Sequence, residues 1–103
     1  MELNKAYIIQ TLQEEHLWKT GESDTFTFNE WELTLRKEDK IYLPYTFAII
    51  GKKKNSNETI NRRYKSVEKA FLHILNHFNE NINVQNRYRK LDDVFSDKLS
   101  EIK

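Results

Sequence analysis

The stretch Lys65–Asn79 constrains the fold of this chain more than any other. Val67, Ala70, Phe71, Ile74, Leu75 and Phe78 recur at steps of three and four, which sets them on one face of an α-helix. Ser66 stands just before them, where its hydroxyl can accept from the free N–H groups of the first turn. Asn79, with Asn81 after it, can end the helix, since Asn tolerates a left-handed backbone. A helix with one apolar face needs an apolar surface to cover. Residues 25–51 read as a β-hairpin that supplies it.

The remaining elements follow from pattern. Asn4 is placed to cap a first helix running to about Trp18, with Ala6, Ile9, Leu12, His16 and Leu17 as a rough stripe and Tyr7 and Ile8 beside it. Gly21 suits the position just past its end. His16 reads as a packed or half-exposed histidine. Residues 25–36 alternate as a half-buried strand does, but the alternation changes phase. Phe26 and Phe28 fall on even numbers; Trp31, Leu33 and Leu35 fall on odd ones. One extra residue at Asn29-Glu30 restores a single face and predicts a β-bulge or strand break. Without it, Phe26 and Phe28 form an exposed aromatic pair. Lys37–Lys40 reads as a turn. The return strand is 41–50, with Ile41, Leu43, Tyr45, Phe47 and Ile49 on one face. Pro44 puts that point at an edge or bulge. Gly51–Asn57 reads as a solvated turn, and 58–65 as a third strand with Ile60, Arg62 and Tyr64 on its face. Val84, Tyr88, Leu91, Phe95, Leu99 and Ile102 form a last helical stripe. Asp92, Asp93 and Asp97 inside it predict fraying, so that the helix, about 84–102, is partly peripheral. The sum is a single α+β domain over 1–103: a three-stranded antiparallel sheet with helices packed on one face, in the order α-β-β-β-α-α.

Several kinds of chemistry find no support. The chain has no cysteine, hence no disulfide framework and no thiolate. Its two glycines cannot build a phosphate-cradling loop. No Ser or Thr sits in a nucleophile elbow. Glu30 and Glu32 alternate as acid–base pairs sometimes do, but such pairs are common on solvated sheets. His73 and His77 share a helix face at metal-binding spacing, yet Ile74 stands where a zincin needs Glu, and a structural or surface pair is the plainer reading. The expectation is a non-enzymatic protein without cofactor or resident metal. The N-terminus lacks a basic start followed by an apolar run, and no apolar stretch approaches the ~20 residues of a membrane span. A soluble, cytoplasmic protein is expected, with no membrane partner. The Asn-, Lys-, Ile- and Glu-rich composition is that of AT-rich bacterial and phage genomes.

Charge is the one strong asymmetry. The net charge is +1, but Met1–Leu35 carries seven acids against two bases, a balance of −5. Residues 36–69 carry ten bases against four acids, a balance of +6. The bases cluster at Lys52, Lys53 and Lys54 and at Arg62, Arg63, Lys65 and Lys69, with Arg87, Arg89 and Lys90 as an extension. Such a patch can meet an acidic protein surface or track phosphates. It can also serve only to keep a turn soluble and an edge strand unpaired.

The order α-β-β-β-α resembles that of the double-stranded-RNA-binding domain. That family begins its last helix with Lys-Lys-x-Ala-Lys; here the helix begins Lys65-Ser66-Val67-Glu68-Lys69-Ala70. The family's Gly-Pro-x-His loop corresponds to Gly51–Asn57, which lacks Pro and His. The resemblance implies RNA contact through the loop and the helix start. With a C-terminal helix added, the order is also similar to some phage-encoded inhibitors of host defence, including certain anti-CRISPR proteins, and implies a protein target. The leading expectation is a small binding protein that docks on another macromolecule. Its candidate surface is Tyr42, Lys52, Lys53, Lys54, Arg62, Arg63, Tyr64, Lys65 and Lys69, with aromatics anchoring and bases steering. The alternative is a nucleic-acid-binding domain in which the same bases hold phosphates and Tyr42 or Tyr64 stacks on bases. The last helix is a candidate homodimer element.

Overall fold

The computed structural model describes residues 1–39, 41, 43–77, 99, 100 and 102, with only the backbone of His77. Helix α1 spans Lys5–Glu14 and runs into a 3₁₀ turn, Glu15–Leu17. Asn4 starts it from an extended backbone, and its Oδ1 accepts from Tyr7 N–H at 2.8 Å. The inward face differs from the expected stripe. Ile8 and Thr11 are buried and Tyr7 and Leu12 pack against the core, whereas Ile9 and Leu17 are exposed. Steps of one, four and five residues keep Tyr7, Ile8, Thr11 and Leu12 together. Polar Thr11 hid that face from a reading by hydropathy.

The largest correction falls on residues 25–36. They are not one strand but a hairpin: β1 is Ser23–Phe28, β2 is Trp31–Lys37, and Asn29-Glu30 is the connection. The register pairs Phe26 with Leu33 and Phe28 with Trp31. A two-residue loop makes the position numbers of every facing pair sum to an odd number, so even residues of β1 share a face with odd residues of β2. The change of phase was the signature of the hairpin itself. Asn29 takes φ 54° to make the turn, a conformation Asn adopts at lower cost than most residues.

Strand β3 is Phe47–Lys53 and β4 is Thr59–Tyr64. All four strands form one antiparallel meander in the order β1-β2-β3-β4. Among the described residues the expected three-stranded sheet of the order α-β-β-β-α-α is therefore replaced by a four-stranded one, in the order α-β-β-β-β-α. The element order behind both resemblances is not the order of this chain. The return strand also starts later than expected. The last rung between β2 and β3 is Glu38 N–H to Thr46 O at 2.8 Å. Before it, Ile41, Leu43 and Tyr45 are 77%, 65% and 43% exposed, with a cis Leu43–Pro44 bond between them. Gly51, expected in a turn, lies inside β3 opposite Leu33 and Ile60.

Helix α2 is Val67–His77. Ser66 caps it, its Oγ accepting from Lys69 N–H at 3.2 Å. Val67, Ala70, Phe71, Ile74 and Leu75 are buried as their spacing demands; Phe78 lies outside the described residues. Both helices cover the face that carries Phe26, Leu33, Leu35, Phe47 and Ile49. Helix α2 packs on β3 and β4, and the ring of Tyr7 in α1 lies tilted against that of Phe26 in β1, with centroids 5.6 Å apart. The expected last helix falls outside the described residues save for 99, 100 and 102, of which Leu99 and Ile102 pack against the core.

Gly51 offers a test of this register. A Cβ there would stand 2.5 Å from the Glu32 carbonyl oxygen and 2.5 Å from a Leu33 methyl. One of those atoms is backbone and cannot turn aside. Gly51→Ala should cost about 1–3 kcal/mol, the range of an overpacked core, seen as a lowered urea midpoint with an unchanged slope. A variant as stable as the parent would contradict the register.

Candidate functional site

The sequence-proposed residues do not share one face. Lys52 and Arg63 lie in register on the open face of the sheet, with Thr25, Thr27, Glu32, Thr34, Arg36, Ile50, Thr59 and Asn61. Lys53, Arg62 and Tyr64 alternate onto the helix-covered face, at its rim. Lys54 is in the β3–β4 turn, exposed, while Lys53 leans on Glu58 at 3.9 Å. Lys65 and Lys69 are exposed at the start of α2. Tyr42 lies outside the described residues. What unites the rest is β4: bases stand in the turn before it, within it and just after it.

Tyr64 is not a free aromatic. It is half-buried, its ring lies 5.4 Å from the His73 ring, and its hydroxyl is hydrogen-bonded to His73 Nδ1. The pair ties β4 to α2. Burial pushes the Tyr64 hydroxyl up to about 12, against the pull of Arg62. Which of the two atoms donates follows the tautomer of His73. His73 thus acts in a structural contact; the side chain of its proposed metal partner, His77, lies outside the described residues. Among the described residues no three of His, Cys, Asp and Glu come together.

Sequence reasoning missed one charged cluster. Glu38 Oε1 meets Arg36 Nη2 at 3.2 Å and Arg63 Nε at 3.5 Å, and its side chain is only 7% exposed. The two arginines face Ala48 in register from either side, and Ala48 is fully buried although it is on the open face. The aliphatic stems cover the alanine while the charges share one carboxylate. Arg63 is thereby committed to the fold. The signal was present as an i, i+2 pair, Arg36 and Glu38, where a strand runs out. Only the cross-strand register could add Arg63.

Two further features mark the surface. A shallow depression of about 940 Å³ lies between the β3–β4 turn and the open face, lined among others by Glu32, Ile50, Lys52, Lys54 and Asn55. It is open to solvent and mixes both signs of charge. At the opposite end of the sheet stand the exposed side chains of Leu17, Ile41, Leu43 and Tyr45. Among the described residues no helix is long and apolar enough to cross a membrane.

No family model matches this sequence, and no curated protein or solved structure is significantly similar to it.

The tyrosines give a measurable consequence. Burial and the facing Asp24 carboxylate also push Tyr7 up to about 12. In the unfolded chain both phenols ionise near 10. Their folded values are raised, so their contribution is whole below pH 10 and is lost as pH rises toward 12. Chemical denaturation should show stability falling across that window. Absorbance at 295 nm should show a late ionisation step that shrinks in Tyr64→Phe. A native protein whose tyrosines all ionise near 10 would contradict these environments.

Proposed function

We propose that this chain is a small non-enzymatic binding protein that docks on the acidic surface of another protein through the β4 side of its sheet. The observation behind this reading is a concentration of exposed bases along one edge strand. Lys52 and Lys54 precede it, Arg62 is within it, and Lys65 and Lys69 follow it. The meander runs in sequence order, so Asp24 and Arg62 lie on the two opposite edge strands, while Glu32 stands beside Lys52 in the middle of the sheet. Asp24 belongs to β1, Glu14 and Glu15 to the end of α1 and the turn after it, and Arg62 to β4. A sheet charged in this way orients an approaching acidic partner before contact. Net charge near zero then limits attraction to anything that cannot align with the pattern.

A nucleic acid would meet the same bases. That reading asked Tyr42 or Tyr64 for stacking; Tyr64 is engaged with His73, and no other aromatic of the described strands faces the open side. Phosphate contact alone would remain, with its steep dependence on salt.

The test is affinity capture from a bacterial lysate by the full chain and by the double variant Arg62→Glu, Lys65→Glu. Both positions are exposed, so the variant should keep the parent's free energy of unfolding to within about 1 kcal/mol. A protein retained after nuclease treatment by the parent, and lost by the variant, is the expected result. Recovery that disappears with nuclease would assign the patch to nucleic acid. A partner held equally by both proteins would move the site away from β4.

A further inference from the structure

The two edges of the sheet differ. On β1, Leu3 N–H donates to Thr27 O at 2.7 Å and Thr27 N–H donates to Met1 O at 2.8 Å, a parallel bridge that occupies the outward groups of Thr27. On β4 the pairing with β3 decides which groups point outward. Lys53 N–H donates to Glu58 O at 3.0 Å, and the register continues as Gly51 with Ile60 and Ile49 with Arg62. Hydrogen-bonded pairs of an antiparallel ladder alternate with pairs whose N–H and C=O turn away. Ile60 and Arg62 therefore bond to β3, and Thr59 and Asn61 present their backbone groups to the outside. Among the described residues no backbone group bonds to those of Thr59 or Asn61 on that side.

We propose that the outer edge of β4 at Thr59–Asn61 accepts an extended, acidic segment of the partner protein as a fifth strand. The inference rests on the docking reading above and names what occupies its surface. Main-chain hydrogen bonds would supply affinity, and side chains on alternate faces would supply selectivity. On the helix side the added strand runs beside Ile60 and Arg62; on the open side it runs beside Thr59 and Asn61, with Lys52 on the next strand. Lys54 and Lys65 stand near its two ends. An opposite charge beside Arg62 stabilises such a pairing, and a like charge opposes it.

Charge also opposes a second copy of this chain pairing through its own β4. Its β4 would bring another Arg62, Arg63 and Lys65 beside the first set. Its β1 has Thr27 already engaged by Met1 and Leu3. The bases that keep β4 from pairing with itself are thus the ones that admit an acidic strand.

The experiment titrates two short blocked peptides into the full chain, one alternating Val and Glu, the other alternating Val and Lys. It follows backbone amide exchange by NMR. The Val–Glu peptide should bind saturably below about 5 mM and slow exchange at Thr59 and Asn61 by about tenfold; the Val–Lys peptide should do neither. Asn61→Pro removes one outward N–H and leaves the bonds to β3 in place, a substitution edge strands accept. It should weaken the Val–Glu peptide by about tenfold. Binding that leaves both amides exchanging at the free rate, or that survives Asn61→Pro, overturns strand addition and leaves docking through side chains intact. Absence of saturable Val–Glu binding overturns it as well, and the capture experiment then decides the docking reading separately. If Asn61→Pro fails to fold, exchange in the unsubstituted chain decides alone.

Discussion

Three aromatic rings hold this molecule together. Tyr7 of α1, Phe26 of β1 and Phe71 of α2 form a closed triangle, with ring centroids 5.6, 6.0 and 6.1 Å apart. Phe26 and Phe71 have no solvent exposure. The rings meet tilted or edge to face, the arrangement their quadrupoles favour. The triangle joins α1 to α2 and both to the sheet. It also sets the limit of the core. The Tyr7 hydroxyl reaches Asp24 Oδ2 at 3.5 Å at the rim, where water begins. A phenylalanine there would keep the packing and lose that polar exit.

A meander is the plainest way to join four strands, and here it has an electrical result. Each strand lies beside the next in sequence, so a gradient of charge along the chain becomes a gradient across the sheet. No long-range crossover mixes it. A Greek-key path through the same strands would have placed Arg62 and Arg63 of β4 beside Asp24 of β1. Topology and charge order together produce the asymmetry on which a docking surface depends.

Much of the fold was legible in the sequence. The face of α2 was correct wherever it is described, because six apolar residues at helical spacing leave little freedom, and the Ser66 and Asn4 caps stand where their chemistry placed them. The failures have specific causes. The phase change was read as a bulge or a strand break at Asn29-Glu30; the break is there, and it is a two-residue turn that starts a second strand. Thr11 in α1 is buried and Leu17 in the turn after it is exposed, so hydropathy pointed aside from the buried face. Ile41, Leu43 and Tyr45 alternate like a strand but lie beyond the last rung at Thr46. Periodicity reports what a backbone would do if a neighbour were present, and no local pattern reports whether one is. The candidate surface suffered most from this. Its bases were legible as a cluster in sequence, but the strand sends Arg62 and Arg63 to opposite faces, and Glu38, far in sequence, takes Arg63 into the fold.

That division of two adjacent arginines explains how one short strand can be both stable and receptive. An edge strand rich in charge resists pairing, and it also tends to lie loosely on its sheet. Arg63 answers the second problem by bonding to Glu38 across β3, while Tyr64 does the same on the other face by bonding to His73 of α2. The C-terminal half of β4 is thus anchored on both sides. Its N-terminal half, Thr59–Asn61, carries neither anchor, and its side chains are polar or small save for Ile60. Strand addition needs a backbone held flat and straight without bulky neighbours in the path of the incoming chain. Anchoring one half and leaving the other polar provides that, with Arg62 exposed at the junction to select the sign of the strand that enters.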